Sequence, residues 1–112
     1  MKVAVVGSRG IRRINLEKYL PKECDEIVSG GAIGVDTLAR NYAIANGLKL
    51  KEFLPEYEKY GRRAPILRNF LIVDYADEVI AFWDGESRGT FSVIDYCYKK
   101  GKKIRVVRKD EF

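Results

Sequence analysis

The sequence predicts an α/β fold in which helices cover both faces of a five-stranded parallel sheet of order 3-2-1-4-5, a three-layer sandwich. Three observations carry this expectation. Short apolar runs alternate with segments of helical period along the whole chain. The apolar runs tend to end in Gly, Ser or Asp clusters, the residue types that turn a strand into the following helix. Finally, 112 residues of which 46% are apolar fill one hydrophobic core, so residues 1–112 read as a single domain.

The first strand is Lys2 to Val6, and Gly7-Ser8-Arg9-Gly10 follows it. Asn15 is placed to cap a short helix over about Leu16 to Leu20, which Pro21 closes. The second strand covers about Glu26 to Val28 and runs into Ser29-Gly30-Gly31. A helix over about Gly34 to Asn46 then sets Val35, Leu38, Ala39, Tyr42, Ala43 and Ala45 largely on one face, with Gly47 as its stop. The third strand spans about Lys49 to Leu54, and Pro55 breaks it. Glu56 to Arg63 reads as a polar, tyrosine-bearing loop. Pro65 suits the first turn of a helix through about Asp74 that carries Ile66, Phe70 and Val73 inward. Glu78 to Trp83 has the unbroken apolar run of a central parallel strand. After the loop Asp84 to Gly89, Thr90 opens the last helix to about Lys99, and Ile104 to Val107 forms the fifth strand.

With right-handed crossovers, strands two, one and four become neighbours. Their following loops, Gly7 to Gly10, Gly30 to Gly34 and Gly85 to Gly89, then meet at the carboxyl edge where the winding reverses, the usual ligand position in open α/β sheets. Glycine turns that feed helix N-termini offer backbone N–H groups to an anion, so the chemistry suggested is phosphate or nucleotide binding. The same glycines also serve ordinary turn geometry.

Composition narrows the chemistry. The chain has no histidine, which excludes Ser-His-Asp and Cys-His catalysis and the commonest zinc ligand. Cys24 and Cys97 form no CxxC pair and read as reduced thiols of a cytoplasmic protein. The apolar run Val3 to Val6 is too short for a signal peptide or a membrane span, so no membrane partner is expected. Gly7-Ser8-Arg9-Gly10 lacks the GxGxxG spacing, and strand two ends in Ser29-Gly30 instead of the acid that binds a ribose hydroxyl in dinucleotide enzymes. GxxxxGK[ST] is absent as well. No metal and no resident cofactor is expected, and the chain is compatible with a homo-oligomer.

The net charge of +5 divides unevenly. Arg9, Arg12, Arg13, Arg62, Arg63, Arg68 and Arg88 fall in or beside loops of the carboxyl edge, whereas Lys22, Lys49, Lys99, Lys100, Lys102 and Lys103 fall at the opposite edge. Arginine is the planar, bidentate partner of phosphate, and lysines after a helix complement its dipole. Asp36, in the first turn of its helix, can complement the dipole, hold the glycine loop or bond a sugar hydroxyl. Asp84 and Glu86, flanking Gly85, are the other carboxylates placed for acid or base work. Trp83 reads as core or as a stacking platform for a base, and Tyr57 and Tyr60 as loop surface or as side chains that close over one.

Taken together, Gly7-Ser8-Arg9, Ser29-Gly30-Gly31-Ala32-Ile33-Gly34-Val35-Asp36, Arg68-Asn69 and Ser87-Arg88-Gly89-Thr90 resemble the SLOG superfamily of Rossmann-like domains, which unites Smf-type DNA-processing proteins with LONELY GUY phosphoribohydrolases. Pro55, Tyr60-Gly61 and Ala81-Phe82-Trp83-Asp84-Gly85 also fit the small stand-alone YspA-like branch. The resemblance implies a pocket for a nucleotide or a nucleotide-derived ligand. Its expected residues are Gly7, Ser8, Arg9, Ser29, Gly30, Gly31, Gly34, Asp36, Arg68, Asn69, Ser87, Gly89 and Thr90. The hydrolase branch cleaves an N-glycosidic bond with an Arg, matched here by Arg68, and a Glu three residues after a Gly-Thr pair. That second position is Val93. The expectation is therefore ligand binding, with nucleoside-monophosphate N-glycosidase activity or single-stranded nucleic-acid binding as alternatives. Asp36, Asp84 and Glu86 are the only carboxylates on hand to replace the missing Glu.

Overall fold

A computed structural model describes residues 1–111 of the chain. Its elements are β1 (Lys2–Gly7), α1 (Leu16–Tyr19), β2 (Glu26–Ser29), α2 (Val35–Ala45), β3 (Lys49–Glu52), α3 (Tyr57–Tyr60), α4 (Ala64–Tyr75), β4 (Glu78–Trp83), α5 (Arg88–Lys100) and β5 (Ile104–Arg108). Short 3-10 turns cover Gly61–Arg63 and Lys109–Glu111. All strand pairs are parallel and the order is β3-β2-β1-β4-β5, the doubly wound, Rossmann-like arrangement expected from the alternation. Val3 stands opposite Ile27 on one side and Glu78 on the other, which fixes β1 as the centre of the sheet.

Side-chain alternation along the strands sorts the core into two layers. Val3 and Val5 of β1, Ile27 of β2 and Phe82 of β4 face α1 and α2, where Leu16, Tyr19, Val35, Ala39 and Ala43 close over them. Ala4, Val6, Val28, Val79 and Ala81 face the opposite way, against Ile72 and Val73 of α4 and Val93, Ile94 and Cys97 of α5. Their burial on both faces gives β1 and β4 the continuous apolar runs read from the sequence. The edge strand β3 instead carries Lys and Glu, which suits an edge exposed to water.

Boundaries move for identifiable reasons. β1 and β2 each gain one residue, Gly7 and Ser29. β3 stops at Glu52, before the expected Leu54, because its pairing partner β2 ends at Ser29. The supposed loop Glu56 to Arg63 is a turn of α-helix followed by a 3-10 turn, started by the Tyr60 N–H donating to the Glu56 carbonyl. It carries no buried residue, so periodicity gave no sign of it. In α4 the buried stripe is Ala64, Asn69, Ile72 and Val73; Ile66 is exposed and Phe70 is half-buried. Ala45 lies on the exposed side of α2. Asn15 precedes α1 without a capping hydrogen bond from its side chain, and Leu20 falls outside the helix. α5 starts at Arg88 instead of Thr90, because Ser87 is its cap. Cys24 and Cys97 are both free, and burial pushes the Cys97 thiol up to about 11. Among the described residues no helix is long and apolar enough to cross a membrane.

Candidate functional site

Three segments gather above the carboxyl ends of the central strands: 8–15 after β1, 30–34 after β2 and 84–87 after β4. Gly34 makes their close approach feasible. Its φ is +82°, and a Cβ there would lie 2.6 Å from the Arg9 carbonyl oxygen, so the first loop rests directly on the N-terminus of α2. Gly30 has a similar role, since a Cβ would lie 2.7 Å from Nη1 of Arg68 and 3.0 Å from Oδ2 of Asp36. Each is a place where a larger residue would push a loop away from the site.

Between these loops and α4 lies a cavity of about 120 Å3. Of the residues expected to bind a ligand, Gly7, Arg9, Asp36, Arg68, Asn69, Ser87, Gly89 and Thr90 line it. Ser8, Ser29, Gly30, Gly31 and Gly34 do not line it. The Ser8 hydroxyl accepts from the Asp84 N–H at 3.2 Å, joining the loops after β1 and β4, and the Ser29 hydroxyl lies 3.5 Å from the Gly31 nitrogen. Val6, Ala32, Pro65, Ile72 and Val93 complete the lining. The sequence marked Val6 as strand core, and nothing in its pattern separates a core residue from one beside a cavity.

The electrostatics centre on Asp36, Arg68 and Arg9. Asp36 is buried in the first turn of α2, where its carboxylate accepts the Ala32 N–H at 3.0 Å and pins the glycine loop. Loss of water raises its pKa above the ordinary value, and the Ala32 N–H and the Arg68 charge offset part of that cost. Arg68 is half-buried. Its Nε donates to Oδ1 of Asn69 at 2.9 Å, and its Nη1 donates to the carbonyls of Gly30 and Phe53 at 2.5 and 3.4 Å. Arg68 is thus a strut across the loops, with Nη2 making no hydrogen bond among the described residues. Burial lowers its pKa, and the charge of Arg9 adds to that effect. The side chain of Arg9 is exposed and makes no hydrogen bond or ion pair among the described residues.

The N-terminus of α5 forms another part of the wall. Ser87 caps it by accepting the Thr90 N–H on its hydroxyl, and Asn69 reaches across from α4 to donate to the Gly89 carbonyl. Asp84 and Glu86 do not line the cavity. Asp84 accepts the N–H groups of Glu86 and Ser87, both at 2.8 Å, and these bonds hold its carboxyl below the usual range. It shapes the β4–α5 turn. Trp83 donates its indole N–H to the Ser87 carbonyl and packs against Phe91 and Arg108, so it supports the same turn. Val93 is 1% exposed and occupies the cavity wall with no titratable group. Among the described residues, no group of three or more His, Cys, Asp or Glu side chains is placed to hold a metal ion.

The site therefore offers two cationic side chains, the opening turns of two helices, several polar side chains and one buried carboxylate. Comparison of the chain with protein-family models, with curated proteins and with solved structures gives no match.

Proposed function

We propose that the chain binds a nucleotide or nucleotide-derived ligand whose phosphate end enters the carboxyl-edge cavity. The observation that carries this reading is that Arg9, which is exposed and without a hydrogen-bond partner among the described residues, lines one small cavity together with the first turn of the 13-residue α5. A phosphate there would gain a charge-assisted contact from Arg9, any remaining N–H of Arg68, and the positive end of the α5 dipole. The resemblance of the glycine loops and the Arg68-Asn69 pair to SLOG domains supports the same ligand class.

Binding is favoured over N-glycosidic cleavage. Cleavage needs a group to take or give a proton and to stabilise an oxocarbenium ion. The lining carboxylate, Asp36, already accepts the Ala32 N–H and lies beside Arg68, and Val93 stands where the resemblance to the hydrolases would place a Glu.

Isothermal titration with AMP tests this reading. Arg9→Ala removes a charge-assisted contact of about 1.5–3 kcal/mol and is expected to weaken binding roughly ten- to hundredfold. Its melting temperature should stay at the wild-type value, because the side chain is exposed and makes no hydrogen bond. An Arg9→Ala protein that binds AMP as tightly as the wild type would overturn the assignment.

A further inference from the structure

A cavity of about 120 Å3 is smaller than the roughly 300–1,000 Å3 of pockets that enclose drug-sized ligands, so a nucleotide must extend beyond it. One neighbouring surface is continuous with it. A groove of about 340 Å3 lies over α3 and α4, with Leu54, Tyr60, Ala64, Leu67 and Leu71 in its walls, and Arg68 lines both the groove and the cavity. Leu54 joins them a second time. A Cβ on Gly31 would lie 2.5 Å from its Cδ2, so Leu54 rests on the loop whose next residue, Ala32, lines the cavity. The Arg68 guanidinium also holds the Phe53 carbonyl, which ties the segment leading into Leu54 to the shared wall.

The groove has the chemistry of an aromatic subsite. Leu54, Tyr60 and Leu71 are 63%, 42% and 52% exposed, a cluster of large apolar side chains left in water beside a cavity that Arg9 and Arg68 line. The Glu56 carboxylate in its wall is an acceptor for the amino group of a base. Of two further depressions at this edge, one, formed by Asp84, Arg108, Lys109 and Asp110, is lined by charges of both signs and has no apolar residue, and the other, formed by residues 55–59, shares no residue with the cavity.

From this continuity, we infer that the groove over α3 and α4 seats the base of a nucleotide whose phosphate end occupies the cavity. The inference rests on the nucleotide-binding reading above. It makes the preferred ligand an amino-bearing purine nucleotide and leaves a bare sugar phosphate as a weaker ligand that fills the cavity alone.

The test compares titrations of AMP and ribose 5-phosphate against the wild type, Tyr60→Ser and the double variant Leu54→Ser/Leu71→Ser. These side chains are exposed, and a thermal melt of each variant checks that the fold is retained. Contact between a base and an aromatic or apolar wall predicts that the wild type prefers AMP by about five- to 150-fold, and that both variants bring the AMP to ribose 5-phosphate affinity ratio close to one. Ribose 5-phosphate binding without a preference for AMP, or a preference that both variants retain, would overturn the base subsite while leaving the phosphate site standing. Failure of both compounds to bind the wild type would overturn the nucleotide reading, and this inference with it.

Discussion

Asp36 and Arg68 show how charged side chains brace the loops of a cavity from within. The Asp36 carboxylate is 8% exposed, and its pKa is raised because burial outweighs its hydrogen bond to Ala32 and its attraction to Arg68. A folded-state pKa above the unfolded value means that its contribution to stability is complete below the ordinary value of 3.8 and is lost as pH rises through the raised value. Asp36→Asn keeps the neutral form at every pH. It should therefore melt above the wild type at pH 7, with the gap closing as the pH falls through the raised pKa toward 3.8. A lower melting temperature for Asp36→Asn at pH 7 would show instead that attraction to Arg68 dominates. The arginines and glycine turns at the cavity were legible in the sequence, and they are residue types that suit an anion. Their division of labour was not. Whether Arg68 points to a ligand or to the Gly30 and Phe53 carbonyls depends on how α4 packs against loops 15 and 38 residues away in the chain.

At the scale of elements, the site depends on how two helices begin. α2 starts from Gly34, whose positive φ lets the first loop lie against it, and α5 starts from Ser87, whose hydroxyl accepts the Thr90 N–H. Replacement of the serine cap leaves that N–H without its side-chain acceptor next to the cavity. Ser87→Ala should cost about 1 kcal/mol. For a domain of this size that lowers the melting temperature by about 4 °C, measurable by calorimetry, and an unchanged melt would remove Ser87 from the role of cap. The long helices and four of the strands could be read in advance from their buried apolar residues, and β3, which buries none, from the Pro55 that breaks it. α3 buries no residue and so left no such trace. α1 was read from Asn15 as its cap and Pro21 as its stop, but the Asn15 side chain makes no capping hydrogen bond, and the helix is held by the burial of Leu16 and Tyr19. The start of α5 was displaced because Ser87, just upstream, supplied the acceptor.

The whole molecule places these parts through the sheet order, in which β2, β1 and β4 lie side by side and their loops meet on one edge. That convergence followed from the alternation of elements and the handedness of the crossovers, so the location of the site was legible even though its wall was not. The wall combines residues from β1, three loops and three helices, including Pro65 and Ile72, which as single residues look like any others of α4. The basic residues also divide as expected. At the amino edge Lys103 pairs with Glu78 and Lys102 caps the Ala76 carbonyl at the end of α4, while Lys99 pairs with Asp95 within α5. Arg9, Arg12, Arg13 and Arg88 are exposed at the other edge. Lys102 and Lys103 thus serve a helix end and a strand start, and of the arginines at the other edge Arg9 and Arg68 line the cavity.

Thermal unfolding of the intact chain with and without mono-, di- and cyclic nucleotides tests the central claim most directly. A nucleotide at one hundred times its Kd stabilises the folded state by about 2.7 kcal/mol, which raises the melting temperature by about 10 °C in a domain of this size. The nucleotide-binding account predicts such a rise for at least one amino-bearing purine nucleotide; melting curves that stay unchanged for every nucleotide at millimolar concentration would contradict it.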